Sequence, residues 1–151
     1  MLSWLYQLAD RARNRARRKQ WPADKAVGRR GEDIAHRFLD RHGFIVVARN
    51  YRTLNGSAEV DLVAWEADTL VFVEVKTRES GDFGPPDRAI GEAKEQHLLR
   101  AAREFARRID TPMEKVRFDV INVILTRPPS VTHVRDAFQP ARHDLPLYAM
   151  R

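Results

Sequence analysis

Three strand-like runs, separated by short turns, are the feature that most constrains the fold of this chain. Each is rich in Val, Ile, Leu and aromatic residues, and they span Phe44–Arg52, Glu59–Trp65 and Leu70–Thr77. The separators, Asn55-Gly56-Ser57 and Glu66-Ala67-Asp68, have the composition of hairpin turns. The runs therefore predict consecutive strands of a sheet.

Helical patterns lie on both sides of these runs. The first predicted helix extends from Lys25 to His42, with Gly43 as its C-terminal stop. Its apolar face contains Ile34, Ala35, Phe38 and Leu39, whereas Asp33, Arg37 and Asp40 are predicted to point away from that face. The second predicted helix runs from Asp87 to Ile109, and its buried stripe comprises Ile90, Leu98, Ala101, Phe105 and Ile109.

A fourth strand is predicted at Val116–Leu125 and a short fifth strand at Val131–Phe138. The order of elements is then αβββαβ, which predicts an α/β domain with a mixed central sheet flanked by helices. A chain of 151 residues is the size of one ordinary domain. We predict a folded domain over residues 25–138, preceded by an arm at 1–24 and followed by a tail at 139–151.

The positive charge of the chain is concentrated in its arm. Residues 1–30 hold nine Lys and Arg against two Asp, a net charge of +7, whereas residues 31–151 hold 18 basic and 19 acidic side chains. On a helical wheel, Arg13, Arg17 and Arg18 lie outside the apolar stripe of the arm. This pattern predicts a contact with nucleic acid, and the alternative is a helix that docks on a membrane surface or a partner.

Composition excludes several classes of protein. The chain has no cysteine, which excludes disulfides, thiolate zinc sites and cysteine nucleophiles. It has no apolar run of the roughly 20 residues that a transmembrane helix needs. The arginines of the arm follow its apolar stretch, whereas the charge of a secretory signal precedes it. We therefore expect a cytoplasmic protein; the alternative is an organelle transit peptide, which also has an Arg-rich, acid-poor amphipathic start.

Strand alternation brings together residues that could perform chemistry. Glu74 and Lys76 share one face of the third run, and Asp61 shares a face of the preceding run with Glu59. If the strands are adjacent, Asp61, Glu74 and Lys76 converge. Two carboxylates are the usual protein ligands of Mg²⁺, with the Val75 carbonyl as a further ligand. Such a metal activates water and stabilises charge on a phosphodiester.

Each of these residues also has a structural interpretation. A Glu-x-Lys pair on a strand is often only a cross-strand charge pair, and Asp61 could bind a turn amide. Lys94 lies within the apolar stripe of its helix, so its ammonium either reaches solvent or reaches the carboxylates. Asp119 is a lone acid in an apolar strand, and we expect it to pair with Arg117 or Arg52.

Together these motifs resemble the bacterial YraN-like family. That family comprises predicted endonucleases of the PD-(D/E)xK superfamily, similar to archaeal Holliday-junction resolvases. The resemblance covers residues 25–125, and its motifs are Gly28-x-x-Gly31-Glu32, Asn50-Tyr51-Arg52, Glu59-Val60-Asp61-Leu62, Phe72-Val73-Glu74-Val75-Lys76-Thr77-Arg78, Lys94 and Arg117-Phe118-Asp119-Val120.

The resemblance implies a restriction-endonuclease-like core. Asp61 and Glu74 would be metal ligands, Lys76 the catalytic lysine and Glu32 an acid carried by the first helix. Two positions depart from the pattern: Val60 stands where proline is expected, and Ala58 stands where glycine is usual.

The predicted function is that of a metal-dependent endonuclease, using Mg²⁺ or Mn²⁺, that acts on structured or branched DNA. The predicted nucleic-acid contacts are Lys94, Arg78, Arg52, Arg13, Arg17 and Arg18, and the accessory residues are Glu59 and Asp119. The alternative is a non-catalytic nucleic-acid-binding or complex-assembly protein on the same fold. Analogy with resolvases suggests a homodimer.

Overall fold

Two helices and five strands make up residues 23–79 and 90–140, the parts of the chain that this computed structural model describes. In chain order they are α1 (Ala23–Arg41), β1 (Phe44–Arg52), β2 (Glu59–Glu66), β3 (Thr69–Arg78), α2 (Glu92–Arg108), β4 (Val116–Ile124) and β5 (Ser130–Val134). A 3₁₀ turn at Met113–Lys115 precedes β4. The predicted αβββαβ order is confirmed.

The strands form one mixed sheet in the order β1-β2-β3-β4-β5. The β1–β2, β2–β3 and β4–β5 pairs are antiparallel, whereas β3 and β4 are parallel. Parallel neighbours cannot be joined by a tight hairpin, and here the connection that contains α2 links them. The sheet is therefore a meander of three strands extended by one crossover and one hairpin.

Each helix covers one face of the sheet. Leu39 of α1 packs in a cluster with Leu62 and Val73, whereas Leu98 of α2 packs in a second cluster with Phe72 and Phe118. Because side chains alternate along β3, Val73 and Phe72 belong to opposite clusters, as the sequence pattern predicts. The hydrophobic core therefore lies in two layers, one on each side of the sheet.

A glycine brings α1 into close contact with β3. A Cβ atom placed on Gly31 would overlap the Thr77 hydroxyl group and would lie 2.8 Å from Thr77 Cβ. Gly28, one turn earlier, has no atom of the described residues within 4 Å of the equivalent position. The absence of a side chain at Gly31 therefore lets the helix approach the sheet and places Glu32 beside β3.

The prediction that Asp33 points away from the apolar face is wrong. Asp33 is only 4% exposed, and its Oδ1 accepts a hydrogen bond of 2.7 Å from Arg49 Nη2. A helical wheel assigns a carboxylate to solvent because it cannot represent a guanidinium on a strand 16 residues away. The ion pair allows the carboxylate to be buried.

Three predicted boundaries also need correction. The second helix begins at Glu92 instead of Asp87: Gly91 is extended, with φ −65° and ψ 149°, so Ile90 precedes the helix. Ile109, assigned to the buried stripe, is the C-terminal cap and is 41% exposed. The fifth strand ends at Val134, although Phe138 still stacks on Phe118 at 4.5 Å between ring centroids.

The terminal predictions lie largely outside the described residues. Of the predicted arm, only residues 23 and 24 are described, and they form the start of α1. Of the predicted tail, only residues 139 and 140 are described. Within the described parts of the chain, no helix combines the length and hydropathy needed to cross a membrane.

Candidate active site

The site develops where β2 and β3 stop pairing. The hydrogen-bonded ladder between them ends at the pair Leu62↔Val73. Asp61 on β2 and Glu74 on β3 are the next residues beyond this pair. Beyond that point, the Val75 amide donates a 2.8 Å hydrogen bond to Asp61 Oδ2. A carboxylate thus replaces a strand carbonyl as the acceptor, and it lies in the gap between the two strands.

The neighbouring strand is irregular at the same level. Asn50 of β1 has φ +49°, in the left-handed region that asparagine tolerates better than most residues. Val60 packs with Val63 in the cluster beneath α2, whereas strict alternation would place it with Leu62. Strict alternation would also place Val63 on the face of Glu59 and Asp61. The alternation of side chains along β2 is therefore broken beside Asp61.

Asp61 and Glu74 form a closely coupled pair of carboxyl groups. Burial, and then repulsion from Glu74, raise the pKa of Asp61 to about 7. Burial also raises the pKa of Glu74, although the Lys94 ammonium opposes that shift. Repulsion from Glu74 therefore opposes ionisation of Asp61, and a cation beside the pair favours it.

Lys94 supplies the nearest cation. Its Nζ lies 3.3 Å from Glu74 Oε2, so the ammonium points towards the carboxylates, which was one of its two predicted positions. Oε2 is nevertheless buried and accepts no hydrogen bond of good geometry from the described residues. Glu74 therefore has a desolvated oxygen whose charge is balanced by the ammonium of Lys94.

Glu32 of α1 approaches the same carboxylates from the helix. Its side chain is 13% exposed, and its Oε2 accepts hydrogen bonds from Arg29 Nη1 at 3.0 Å and from Asn50 Nδ2 at 3.1 Å. Burial raises the pKa of Glu32, and the Asp61 carboxylate contributes further. The helix-borne acid thus lies within the electrostatic range of Asp61.

Two of these contacts were missed by the sequence interpretation. Asn50 and Arg29 were not predicted to contact Glu32. For Arg29, the signal was the i,i+3 spacing from Glu32 on one helix. For Asn50, an asparagine inside a predicted strand was a signal of an irregular backbone, but nothing indicated its partner.

The family follows from the sequence comparisons. The model described as "Uncharacterised protein family UPF0102" matches residues 31–123. A "UPF0102 protein" of Solibacter usitatus is 49% identical over 138 residues, covering 91% of this chain and 100% of that protein. One from Rhodococcus opacus is 42% identical over 115 residues, covering 75% and 96%. The chain belongs to the UPF0102 family.

Membership of UPF0102 confirms the resemblance to the YraN-like proteins, but the names of the relatives state no activity. Among solved structures, Pyrococcus furiosus SfsA in complex with Ca²⁺ is similar with a TM-score of 0.34 and 12% identity. That match covers 74% of this chain and 63% of SfsA. A TM-score and an identity this low do not establish a common fold or role.

The donor set of this UPF0102 site fits a hard divalent cation. The described residues contain no group of three or more His, Cys, Asp or Glu arranged around a metal position. Asp61 and Glu74 instead supply two carboxylates, and Mg²⁺ typically takes one or two of these and completes its shell with water and phosphate. The second observation that fits a cation is that the buried Oε2 of Glu74 already lies 3.3 Å from the Lys94 ammonium.

The remaining residues of β3 flank this pair. Lys76 is half-buried, and its positive charge lowers the pKa of Glu74. Val75 uses its amide to bind Asp61, while the proposed use of its carbonyl stays a prediction. Arg78 is half-buried at the end of β3.

The predicted accessory acids, Glu59 and Asp119, both have basic partners: Glu59 pairs with Arg52, and Asp119 pairs with Arg117. Asp119 is fully buried and accepts two 2.8 Å hydrogen bonds from Arg117, which confirms one of its two predicted partners. His133 and the Asp136 amide also contact its carboxylate. Burial alone would raise the pKa of Asp119, but these contacts hold it below its usual range. We therefore assign Asp119 a role in stability.

The arginines predicted to contact phosphate lie in different parts of the chain. Arg52 is 70% exposed, and its Nε donates a 3.0 Å hydrogen bond to Glu59 Oε2. Arg13, Arg17 and Arg18 lie outside the described residues. Contact between any of these arginines and nucleic acid stays a prediction.

Proposed function

We propose that this UPF0102 protein is a metal-dependent nuclease that hydrolyses phosphodiester bonds, with structured or branched DNA as its favoured substrate. The observation that carries the proposal is the buried pair Asp61 and Glu74, whose pKa values are both raised at the gap between β2 and β3. Desolvated carboxyl groups with perturbed pKa values are more frequent at functional sites than in ordinary ion pairs.

The metal, Mg²⁺ or Mn²⁺, would be held by Asp61, Glu74 and the Val75 carbonyl. When bound, it would lower the pKa of a water molecule and neutralise charge on the phosphodiester. Binding would favour the ionised form of both carboxyl groups, because both must ionise to act as ligands.

The other residues of the site would position the reacting groups. Lys76 would stabilise negative charge as it develops on the phosphate. Glu32, held by Arg29 and Asn50, would orient a water molecule from the helix side. With a metal at Glu74, the Lys94 side chain would move its ammonium away from the carboxylate and pair with a substrate phosphate.

A non-catalytic nucleic-acid-binding or complex-assembly protein is the second candidate. The ion pair between Lys94 and Glu74 favours it, because the fold itself already supplies one cation to the carboxylates. Metal binding separates the two candidates: a structural pair has no requirement for Mn²⁺, whereas the nuclease requires it.

A cleavage assay tests the proposal. Purified protein is incubated in Mg²⁺, Mn²⁺ or EDTA with labelled single-stranded, duplex, flap and four-way-junction DNA, and with RNA. Glu74→Gln removes a metal ligand, and Glu114→Gln makes the same change on an exposed turn. We expect metal-dependent cutting that falls by about 100-fold or more in Glu74→Gln, since even the loss of a group that only orients a ligand costs 10- to 100-fold.

Equal cutting by both variants, or cutting in EDTA, would refute the assignment of the site. Nucleic-acid binding without any cutting in Mn²⁺ would support the second candidate.

The proposed partners are tested by removing residues 1–20. If the basic arm binds phosphates, its removal weakens DNA binding and reduces the salt dependence of that binding. Loss of liposome binding with unchanged DNA binding would instead support the membrane-surface alternative. Sedimentation analysis of the same two proteins measures whether the expected homodimer forms and whether it needs the arm.

A further inference from the structure

A cavity of about 390 Å³ lies beside the C-terminal half of α2, and no role described so far uses it. It is lined by Tyr51, Phe105, Arg108 and Ile109. Two aromatic rings, a guanidinium and an aliphatic side chain thus surround one open space. These are the side chains on which nucleic-acid bases stack, through aromatic, cation–π and apolar contacts.

The two aromatic walls of the cavity are fixed by packing, whereas Arg108 and Ile109 are exposed. The ring of Phe105 meets the rings of Tyr51 and Phe72 edge to face, at centroid distances of 5.0 and 5.9 Å. The hydroxyl of Tyr51 donates a 2.5 Å hydrogen bond to Glu104 Oε1. Binding a planar group here would therefore need little reorganisation of the protein, which favours affinity.

The same carboxylate holds an exposed leucine beside the cavity. The Leu54 amide donates a 3.0 Å hydrogen bond to Glu104 Oε1, while the Leu54 side chain is 85% exposed. The surrounding turn is closed by hydrogen bonds from the Thr53 amide to the Ala58 carbonyl and from the Gly56 amide to the Thr53 carbonyl. An apolar side chain held rigidly in solvent can insert between stacked bases, as apolar residues of DNA-bending proteins do.

The charge of the cavity suits a nucleic-acid strand. Arg108 is fully exposed, and its contact with the Tyr51 hydroxyl raises the pKa of Arg108. Arg107 is also exposed on the same helical turn. A guanidinium can stack on a base and attract its phosphate, so these groups favour a nucleotide over an uncharged aromatic ligand.

The cavity is close to the carboxylates of the active site. Tyr51 pairs across β1 and β2 with Val60, the residue before Asp61. With about 5 Å between facing Cα atoms and about 3.3 Å per residue along a strand, the Cα atoms of Tyr51 and Asp61 are roughly 6 Å apart. Helix α2 borders both places, through Lys94 at its first turn and Arg108 at its last, about 21 Å apart along the helix axis. A single strand that reaches both must therefore span several nucleotides.

We propose that this cavity receives an unpaired nucleobase of the bound strand, with Leu54 inserted against the adjacent base step, so that the protein selects nucleic acid with unpaired bases near the bound phosphate. This inference rests on the proposed function for its substrate class, but it concerns binding and does not require cleavage.

The test compares two neighbouring arginines. Binding is measured by anisotropy without divalent metal in a Glu74→Gln background, using a fully paired duplex and the same duplex with a two-nucleotide gap. 2-Aminopurine in the gap reports stacking. Arg108→Ala removes a wall of the cavity, whereas Arg107→Ala removes an equal charge outside it; Leu54→Ser tests the insertion.

We expect Arg108→Ala and Leu54→Ser to weaken binding to gapped DNA by about 5- to 100-fold, the range for one lost base-stacking contact. Both should also release the quenching of 2-aminopurine. On paired duplex, Arg108→Ala should match Arg107→Ala. Equal effects of the two arginines on both DNAs, with unchanged quenching, would overturn the inference.

The failure of this inference is distinguishable from the failure of the proposed nuclease. If the wild-type protein cuts DNA in Mn²⁺ and the cavity variants bind gapped DNA normally, only the cavity assignment falls. If the gapped DNA binds through the cavity and nothing is cut, the cavity assignment is supported and the nuclease falls. If the wild-type protein binds neither DNA, the cavity assignment is overturned as well.

Discussion

Replacing Gly28 and Gly31 by alanine is the same chemical change one turn apart on α1, yet we expect opposite effects on stability. Both substitutions gain about 1 kcal/mol of helix propensity. Gly28→Ala places its methyl group where no described atom lies within 4 Å, so the free energy of unfolding should rise by about this amount. Gly31→Ala places the same methyl group against the Thr77 side chain.

Relieving that overlap requires α1 to move away from β3. Overpacking a well-packed site by one methyl group costs about 1–3 kcal/mol. Gly31→Ala should therefore be less stable than Gly28→Ala by that amount, and no more stable than the wild-type protein. Because Glu32 follows Gly31, the movement should also shift Glu32 relative to Asp61 and reduce any cleavage activity.

Urea unfolding measures the difference, with the slope m as a check that both variants unfold in the same way. Thr77→Ala alone and in the Gly31→Ala background completes a double-mutant cycle. Removing the Thr77 hydroxyl and methyl groups should recover part of the loss, with a coupling energy above about 0.5 kcal/mol. Equal unfolding midpoints for Gly28→Ala and Gly31→Ala would refute the close contact.

Three further predictions concern buried charges, and urea unfolding at several pH values measures each of them. Asp119→Asn should cost about 1–3 kcal/mol at pH 7, because it removes the buried carboxylate that Arg117 and His133 contact, while Arg117 keeps its 2.7 Å ion pair with Glu66. Since folding lowers the pKa of Asp119, its contribution is present above the unfolded value of 3.8 and lost as pH falls through the folded value; a difference independent of pH would contradict this. Asp61→Asn should stabilise the protein by up to about 4 kcal/mol at pH 8. The pKa of Asp61 is raised from 3.8 to about 7 by folding, so the contribution of its protonated form to stability is complete below pH 3.8 and is lost as pH rises through 7. An unchanged unfolding midpoint at pH 8 would argue against the raised pKa. Arg49→Ala should cost about 1–3 kcal/mol by removing the 2.7 Å ion pair with the buried Asp33 carboxylate, and less when combined with Asp33→Ala, whereas additive losses would show that the two side chains do not interact.

The strands were the part of the fold most accessible from sequence. The predicted and observed bounds of β1 agree, and those of β2 and β3 differ by no more than one residue at either end. Side-chain alternation and turn composition are local properties, which is why they can be recognised without knowledge of the partner strands. Alternation along β3 also predicted that Glu74 lies on the face opposite Val73, and Val73 packs in the cluster that contains Leu39 of α1.

What failed depends on residues far apart in the chain. Asp33 is buried because Arg49 of a different element neutralises it, and a helical wheel contains no such partner. The position of Lys94 stayed open between solvent and the carboxylates until the packing of α2 on the sheet decided it. The helix was also predicted to begin too early, because its periodicity continues through Ile90 while Gly91 takes an extended backbone.

The strand pairings of the sheet join residues that are close in sequence in the β2–β3 hairpin and residues that are far apart in sequence between β3 and β4. In the β2–β3 hairpin, Glu66 pairs with Thr69 only three residues later, whereas Leu70 of β3 pairs with Val116 of β4, 46 residues further along the chain. The loop entropy of that second closure is larger, and contacts between distant residues slow folding. The meander that carries Asp61 and Glu74 can therefore form first, while α2 and β4 still have to dock. We therefore expect the two carboxylates to be buried after the meander has formed, when α2 docks and brings Lys94 to oppose their repulsion.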